Sequence, residues 1–207
     1  MARRVRHHVN PLGARFLDTS ARRIEPRGRP MEVELGCADA RFLFERAPRH
    51  ADVDFIGVEI REPLVDQVNE RARELALPNL RAVFANINTE LDELFADGSL
   101  ARIFINFPDP CFKLRHRKRR LMTAGLAAQL VRKLAPAGEL LFQSDIWSLA
   151  IEALALLEAE AGLENRVGPW RFTRENPYEA KSLREVRVEE RGERVWRLWY
   201  RRDAESL

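Results

Sequence analysis

The chain alternates short apolar runs with amphipathic stretches, and most apolar runs end in polar or turn-forming residues. The runs are rich in β-branched and aromatic residues, which is typical of buried strands. The longer stretches repeat apolar residues at helical spacing, which predicts helices that pack on a sheet. The predicted strands cover Met31–Leu35 and residues 54–60, 80–85, 103–105, 139–143 and 194–200, with further strand-like residues at 170–173. The predicted helices cover residues 41–47, 63–75, 121–134 and 146–161.

The order of these elements predicts the fold class. Strand–helix units followed by a strand-rich tail indicate an α/β fold, a doubly wound, mostly parallel seven-stranded sheet with an antiparallel edge strand. Residues 1–30 are rich in Arg, Pro and Gly and show no strong periodicity. We interpret residues 1–30 as a basic N-terminal arm, which orders on the body or on RNA, and residues 31–207 as a single domain.

Polar residues at two predicted strand ends indicate a ligand site. Gly36 follows the first strand and precedes a helix, the arrangement in which many nucleotide and cofactor sites begin. Glu34 lies in that strand end, and Glu59 lies near the end of the second strand. Their separation approaches the spacing at which an acidic residue binds ribose hydroxyls. On spacing alone, a rim carboxylate in a polar loop explains Glu59 equally well.

The stretch after the fourth strand combines a stiff turn with a block of positive charge. Pro108 and Pro110 flank Asp109, and neither proline can donate to a sheet ladder. Asp109 is therefore expected on an extended turn at the strand rim, where open α/β sheets bind ligands. A cationic run follows at once: Lys113, Arg115, Arg117, Lys118, Arg119 and Arg120, with His116 inside it. Each feature alone also fits ordinary turn chemistry or a solvated helix start.

The charge distribution indicates the kind of partner, and the cysteine content indicates the redox compartment. The formal net charge is +3, but residues 1–30 and residues 113–120 each contribute +6, which leaves −9 elsewhere. Two cationic segments on an acidic body favour a polyanionic partner that docks at one place. Cys37 and Cys111 form no disulfide framework, which fits a reducing cytosol. We expect no signal peptide, no membrane span and no metal, since His7 and His8 have no further ligands beside them.

The segment around Asp109 resembles the bacterial tRNA (guanine-N7)-methyltransferases, which have the class I S-adenosylmethionine-dependent fold. That family reads F-P-D-P-W-x-K-x-R-H-x-K-R-R where this chain reads F-P-D-P-C-F-K-L-R-H-R-K-R-R over residues 107–120. Further matches cover almost the whole chain: E-L-G at 34–36, F-I-G-V-E at 55–59, N-L-R at 79–81, Ser144-Asp145, Glu189, Arg191-Gly192, and Arg6-x-His8-Val9-Asn10-Pro11-Leu12.

The resemblance implies roles for individual residues. S-adenosylmethionine would be the cofactor, and its contacts would be Glu34, Gly36, Glu59, Asn86 and Asp109. Glu34 and the Gly36 turn would line its methionine end, Glu59 its ribose and Asn86 its adenine. Asp109 would be the catalytic residue. The guanosine contacts would be Lys113, Asp145, Val186 and Glu189. The RNA phosphate contacts would be Arg115, Arg117, Lys118, Arg119 and Arg120.

The chain departs from the family pattern at four positions. Ala38 and Ala40 replace glycines of the cofactor loop, and Cys111 replaces the tryptophan after F-P-D-P. Val186 replaces the threonine of the terminal T-x-x-E, of which Glu189 is the last residue.

Three functions follow from these residues. The first is a cytoplasmic enzyme that methylates guanine N7 in tRNA, with guanosine 46 of the variable loop as the implied target. The second is a noncatalytic or weakly catalytic RNA-binding protein on a methyltransferase scaffold. The third is a methyltransferase of another RNA, because a fold alone does not fix function. Cofactor binding separates the second from the others, and the identity of the methylated nucleoside separates the third. Both a monomer and a homodimer are open.

Overall fold

Seven strands form one sheet in the computed structural model, which describes residues 9–111 and 120–204. In chain order they are β1 (Met31–Leu35), β2 (Asp54–Glu59), β3 (Leu80–Phe84), β4 (Leu100–Asn106), β5 (Leu134–Ser144), β6 (Leu163–Asn165) and β7 (Trp196–Arg202). They lie in the order β3-β2-β1-β4-β5-β7-β6. Strands β3, β2, β1, β4 and β5 are mutually parallel, and β7 is antiparallel to both β5 and β6. The predicted fold class is confirmed.

Helices cover both faces of this sheet, as parallel strands require. They are α1 (Arg41–Arg46), α2 (Glu62–Glu74), α3 (Ile87–Leu94), α4 (Ala124–Lys133), α5 (Trp147–Glu158) and α6 (Leu183–Glu190). Val33 and Ile103 pack into one apolar cluster with α3, α4 and α5, whereas Phe104 and Leu141 pack into a second cluster with α1 and α2. Within the described ranges, no helix combines the length and apolarity that a bilayer crossing requires.

The second cluster contains a buried charge network. Glu32 is fully buried and accepts two hydrogen bonds from Arg46, at 2.9 and 3.0 Å, and a third from Arg102. The Arg46 guanidinium also lies 4.9 Å from the ring centroid of Tyr178, whose hydroxyl donates to Glu139 at 2.9 Å. These pairs satisfy one another, so the network holds β1, β4 and α1 together without leaving an unpaired charge.

The described part of the N-terminal segment packs against the body. Thr19 donates its hydroxyl to Glu90 of α3 at 2.7 Å, and the Ile24 amide donates to the Leu94 carbonyl at 2.8 Å. Ile24 is buried in the core. Contacts to α3 therefore order residues 9–30 at least in part. Residues 1–8 lie outside the described residues.

The tail differs from the prediction. The chain at 170–173 is not a strand and contributes only a single bridge, from Thr173 to Arg197, while β6 forms earlier, at Leu163–Asn165. Helix α6 lies between the strand-like residues 170–173 and the strand predicted at 194–200, in residues for which no element was predicted, so the tail is less strand-rich than expected. Helix α3 was also missed. In both helices, a polar N-cap rather than a long apolar stripe marks the start: Asn86 accepts from the Asn88 amide, and Ser182 from the Glu185 amide.

Candidate active site

The turn after β1 has a left-handed backbone at Gly36 and also at two alanines that replace glycines of the family pattern. Gly36 has φ +80°, and its amide donates to the Val58 carbonyl at 2.8 Å. Ala38 and Ala40 both have left-handed backbones, with φ 51° and 52°. This conformation costs roughly 1–2 kcal/mol for a residue with a Cβ atom. Ala38 and Ala40 therefore hold left-handed conformations at a free-energy cost that glycine would avoid.

Glu34 is buried at the end of β1 and is only half satisfied. Its Oε1 accepts a hydrogen bond from Asn106 of β4 at 2.8 Å. Its Oε2 is buried and has no partner among the described residues. Burial raises the pKa of Glu34 to about 8, against the Asn106 hydrogen bond, and the charges of Asp39 and Glu59 raise it further. A buried carboxyl with one open oxygen is suited to receive a donor from a ligand.

Glu34 should make stability depend on pH. Between its ordinary pKa and about 8, the folded chain binds a proton that the unfolded chain has released. The free energy of unfolding should therefore fall as pH rises through this range, by up to about 1.4 kcal/mol per pH unit. Glu34→Gln stays neutral and should lack this contribution. Urea denaturation of both proteins from pH 5 to 8 measures the difference, in which other titrating groups cancel. If the free energies of unfolding of the wild type and Glu34→Gln change in parallel with pH, the raised pKa of Glu34 is contradicted.

Glu59 lies beside the same turn, at the end of β2. Arg61 donates to both of its oxygens at 2.8 Å, and the Ala38 amide donates to Oε2 at 3.0 Å. The carboxylate thus holds the loop and a partly exposed guanidinium together. A ribose diol at Glu59 would have to share these oxygens with Arg61 or displace it.

Asn86 lies just beyond β3, on the same edge of the sheet. Its side-chain oxygen accepts from the Asn88 amide, and its nitrogen donates to the carbonyls of Pro11 and Phe16 at 2.9 and 2.8 Å. The side chain caps α3 and fastens the N-terminal segment to it. Its role at the adenine stays a prediction.

Asp109 sits on an exposed, tightly shaped turn beyond β4. Phe107 and Cys111 on either side have φ 53° and 45°, and Asp109 Oδ1 accepts from the Cys111 amide at 3.1 Å. Arg120, ten residues after Pro110, stabilises this turn: its Nε donates to the Pro110 carbonyl at 3.3 Å. The negative charge of Asp109 also helps to raise the pKa of Arg61, after the larger effect of its Glu59 hydrogen bond. The carboxylates of Asp109 and Glu59 therefore both interact with Arg61, at the same edge of the sheet.

A cleft of about 510 Å³ opens between α1, α6 and the chain before α6. Val186 and Glu189 both line it, together with Arg197 and Lys181. Glu189 accepts from Arg197 at 2.7 Å and from Lys181 at 2.6 Å, so its carboxylate has a fixed direction. Burial would raise the pKa of Glu189, but Lys181 and Arg197 together hold the pKa below its usual value. The structure thus places Val186 and Glu189 in one cleft, and their contact with the guanosine stays a prediction.

Asp145 does not line that cleft. It follows β5, and its carboxylate accepts from Arg184 of α6, through Nε at 3.1 Å. Lys113, Arg115, Arg117, Lys118 and Arg119 lie outside the described residues. Arg120 is described and forms an ion pair with Glu152 of α5. No group of three or more His, Cys, Asp or Glu side chains that could hold a metal ion occurs in residues 9–111 or 120–204.

Sequence analysis missed a polar chain that joins Glu34 to the cleft. Gln143 Nε2 donates to Asn106 Oδ1 at 2.9 Å, and Arg197 Nε donates to Gln143 Oε1 at 2.8 Å. Arg197 then reaches both Glu185, at 2.8 Å, and Glu189. The three linking residues, Asn106, Gln143 and Arg197, are register partners across β4, β5 and β7. Polar residues inside otherwise buried strands were the available signal.

Comparison with known proteins identifies the family. A family model described as "Putative methyltransferase" matches residues 28–198. The curated tRNA (guanine-N(7)-)-methyltransferase of Synechococcus sp. (strain JA-3-3Ab) is 38% identical, with 98% of this chain and 87% of the relative covered. That of Trichormus variabilis is 36% identical, with 96% of each covered.

Solved structures share the fold. The geranyl diphosphate C-methyltransferase of Streptomyces coelicolor A3(2), in complex with S-adenosyl-L-homocysteine, matches with a TM-score of 0.58 at 15% identity over 84% of this chain and 70% of that one. The antibiotic-resistance methyltransferase Kmr matches with a TM-score of 0.55 at 21% identity over 85% and 89%. By the extent and level of its sequence similarity, the chain belongs to the tRNA (guanine-N7)-methyltransferase family.

Proposed function

We propose that this protein is an enzyme that transfers the methyl group of S-adenosylmethionine to N7 of a guanine in tRNA, with guanosine 46 of the variable loop as its target. Relatives that carry this activity in their names align with nearly the whole chain. The structural observation that carries the proposal is the half-satisfied carboxyl of Glu34, at the sheet edge that also bears Glu59 and Asp109. Acting on tRNA, the enzyme would work in the cytoplasm.

The residues at this edge fit the cofactor. The open Oε2 of Glu34 would accept from the ammonium of the methionine end, and ion pairing would then favour the charged carboxylate. A Cβ atom at Gly36 would meet nothing within 4 Å, so the turn leaves room in front of it. Glu59 would hold the ribose hydroxyls and Asn86 would lie toward the adenine. When bound, S-adenosylmethionine supplies an electrophilic methyl group on a sulfonium.

The remaining residues would position the base and exclude water. Guanine N7 already offers an in-plane lone pair, so no general base is needed for the reaction. Asp109 would favour the positive charge that grows on the ring, which is electrostatic preorganisation. Glu189 would accept from the N–H edge of the guanine, and Asp145 and Lys113 would contact its nucleotide. Val186 would pack where the family has a hydroxyl. The base must leave any continuous stack to reach this site.

The cationic run would hold tRNA phosphates. Arg117, Lys118 and Arg119 changed together to Ala should weaken tRNA binding, and each lost contact should reduce the slope of log K against log salt by roughly 0.7–0.9. Arg120 is left unchanged, because its ion pair with Glu152 also holds the chain to α5. Arg73→Ala, in the last turn of α2, is the matched control and should leave the slope unchanged. A triple variant with the wild-type slope would show that the run is only a solvated surface.

Two measurements test the proposal together. Calorimetry should detect S-adenosylmethionine binding, and incubation of the protein with labelled S-adenosylmethionine and unmodified tRNA should yield labelled 7-methylguanosine. Binding of tRNA without cofactor binding at millimolar concentration would favour the noncatalytic alternative. Label in another nucleoside would favour a different RNA methyltransferase.

A further inference from the structure

A cluster of partly exposed aromatic rings lies next to Asp145, and the proposed function leaves it unexplained. The rings of Trp147, Phe172 and Trp196 form a triangle with centroid separations of 4.4, 5.2 and 5.7 Å. The guanidinium of Arg194 lies over the Trp196 ring, 3.8 Å from its centroid. We refer to Trp147, Phe172, Trp196 and Arg194 as the aromatic platform.

The aromatic platform is incompletely covered by the protein. Trp147 is 49% exposed, although its indole could contribute its full area to a core if it were buried. Ile151, one turn further along α5, is 38% exposed. A ring cluster with only a packing role would cover its tryptophans. Here one of the two, Trp147, presents half of its surface to solvent at the start of a helix.

The aromatic platform lies at the same edge of the sheet as the candidate active site. Trp196 is the first residue of β7 and pairs in register with Ser144, the last residue of β5. Asp145 follows directly, and Trp147 begins α5 two residues later. The platform is therefore continuous with the position predicted to contact the guanosine.

The platform carries a positive charge of its own. The exposed Arg194 covers one face of Trp196. Aromatic faces beside guanidinium groups are the combination that binds unpaired nucleotides, since bases stack on the rings and phosphates pair with the cations. In a symmetric contact between two copies of the chain, equivalent residues face the same patch. A dimer through this patch would thus bring like charges close together.

We propose that the aromatic platform is a stacking site for an unpaired base of the RNA next to the target guanine. This inference rests on the proposed function, because the RNA is its occupant. A stacked neighbour would hold the strand in the opened conformation that the target base requires. Trp147, as the most exposed ring, would carry most of the contact.

The test compares variants of Trp147 that keep or remove the aromatic face. Trp147→Leu keeps an apolar cover and Trp147→Phe keeps a ring. Trp170→Ala is the matched control, because Trp170 is 62% exposed but its backbone is held by Glu158, at the opposite end of α5. The affinity of each for unmodified tRNA is measured over a series of salt concentrations, together with cofactor binding and the kcat and KM of methylation.

Trp147→Leu should bind tRNA roughly 5- to 150-fold more weakly, the effect of losing one stacked base. Its salt slope should be unchanged, because no phosphate contact is removed. The loss should appear in KM, with cofactor affinity intact. Trp147→Phe should recover most of the affinity, and Trp170→Ala should match the wild type.

Three results would overturn the inference while leaving the proposed function standing. The first is a Trp147→Leu protein that binds tRNA within twofold of the wild type. The second is a loss of affinity with a reduced salt slope, which would indicate phosphate contacts. The third is a dimer, detected by sedimentation, that Trp147→Leu dissociates without changing tRNA affinity. Absence of methyl transfer by the wild-type protein would instead contradict the proposed function itself.

Discussion

Asp109→Ala should lower the rate of methyl transfer at saturating tRNA and cofactor by about 10²–10³-fold. The proposed role of Asp109 is a fixed negative charge near a ring that becomes cationic, and removing one such preorganised group typically has an effect of this size. Asp109 is exposed and sits on a turn, so its loss opens no cavity and should change the free energy of unfolding by less than about 1 kcal/mol. Single-turnover assays measure the rate, and urea denaturation measures stability.

Asp109→Asn provides the control that separates charge from shape. Its side-chain oxygen can still accept from the Cys111 amide, so the turn should persist. If charge is the essential property, Asn should be nearly as slow as Ala. If the turn geometry is essential, Asn should be close to the wild type. Near-wild-type turnover in both folded variants would remove Asp109 from the active site.

Arg197→Ala should destabilise the protein by about 3–5 kcal/mol and also impair base binding. Arg197 is 5% exposed and bridges Gln143, Glu185 and Glu189. Its removal leaves Glu185, which is fully buried, without its cationic partner. Breaking a buried pair from one side is costly because the remaining charge stays desolvated. Glu189 would keep only Lys181 as a donor among the described residues, so its direction in the cleft should loosen.

Arg184→Ala is the matched control for this change. Arg184 also pairs with a carboxylate, that of Asp145, but its side chain is 50% exposed. The Asp145 side chain is only 10% exposed, but Arg184 itself is half exposed, so water can reach the site of the lost guanidinium. This variant should therefore lose much less stability than Arg197→Ala. In a second comparison, Arg197→Met combined with Glu185→Gln should recover part of the loss, since it removes both buried charges. Equal stabilities for Arg197→Ala and Arg184→Ala in urea denaturation would contradict the importance of the buried network.

The sequence predicts the parallel part of the sheet well because each strand there carries its own signal. β2 and β4 each contain a run of β-branched and aromatic residues, as expected where both faces of a sheet are covered, whereas β1 alternates apolar residues with Glu32 and Glu34. Strand β6 has only three residues, and its pairing with β7 depends on contacts far apart in the chain. No local pattern distinguishes such a strand from residues 170–173, where the strand was expected.

Helix α6 illustrates a signal that was present but weak. Ser182 and Glu185 have the spacing of a capping box, S-x-x-E, which predicts a helix start. In the structure the Ser182 side chain accepts from the Glu185 amide, while the Glu185 carboxylate turns inward to Arg197. Because that carboxylate is buried, α6 lacks the broad apolar stripe by which a packed helix is usually recognised.

The residues of the candidate site also fall into two groups, those that a local sequence pattern marks and those that only the fold brings together. Glu34 and Glu59 can be found from the sequence because strand ends and a glycine turn mark them. Asn106, Gln143 and Arg197 stand out only as polar residues within otherwise buried strands, because their connection to one another arises from register across three strands. Asn86 was identified as a site residue, but its hydrogen bonds to Pro11 and Phe16 depend on the path of the N-terminal segment. Local chemistry is thus readable from the sequence, while partners distant in the chain require the fold.

The position of the methyl group in the product tRNA tests the central claim most directly. The wild-type protein is incubated with methyl-labelled S-adenosylmethionine and two unmodified transcripts, which differ only in having guanosine or adenosine at position 46. Nuclease fragments are then analysed by mass spectrometry. We expect 7-methylguanosine in the fragment that contains guanosine 46, and no label in the adenosine transcript. Label at another position or on another nucleoside, or no label from a folded protein that binds both cofactor and tRNA, would contradict the proposed function.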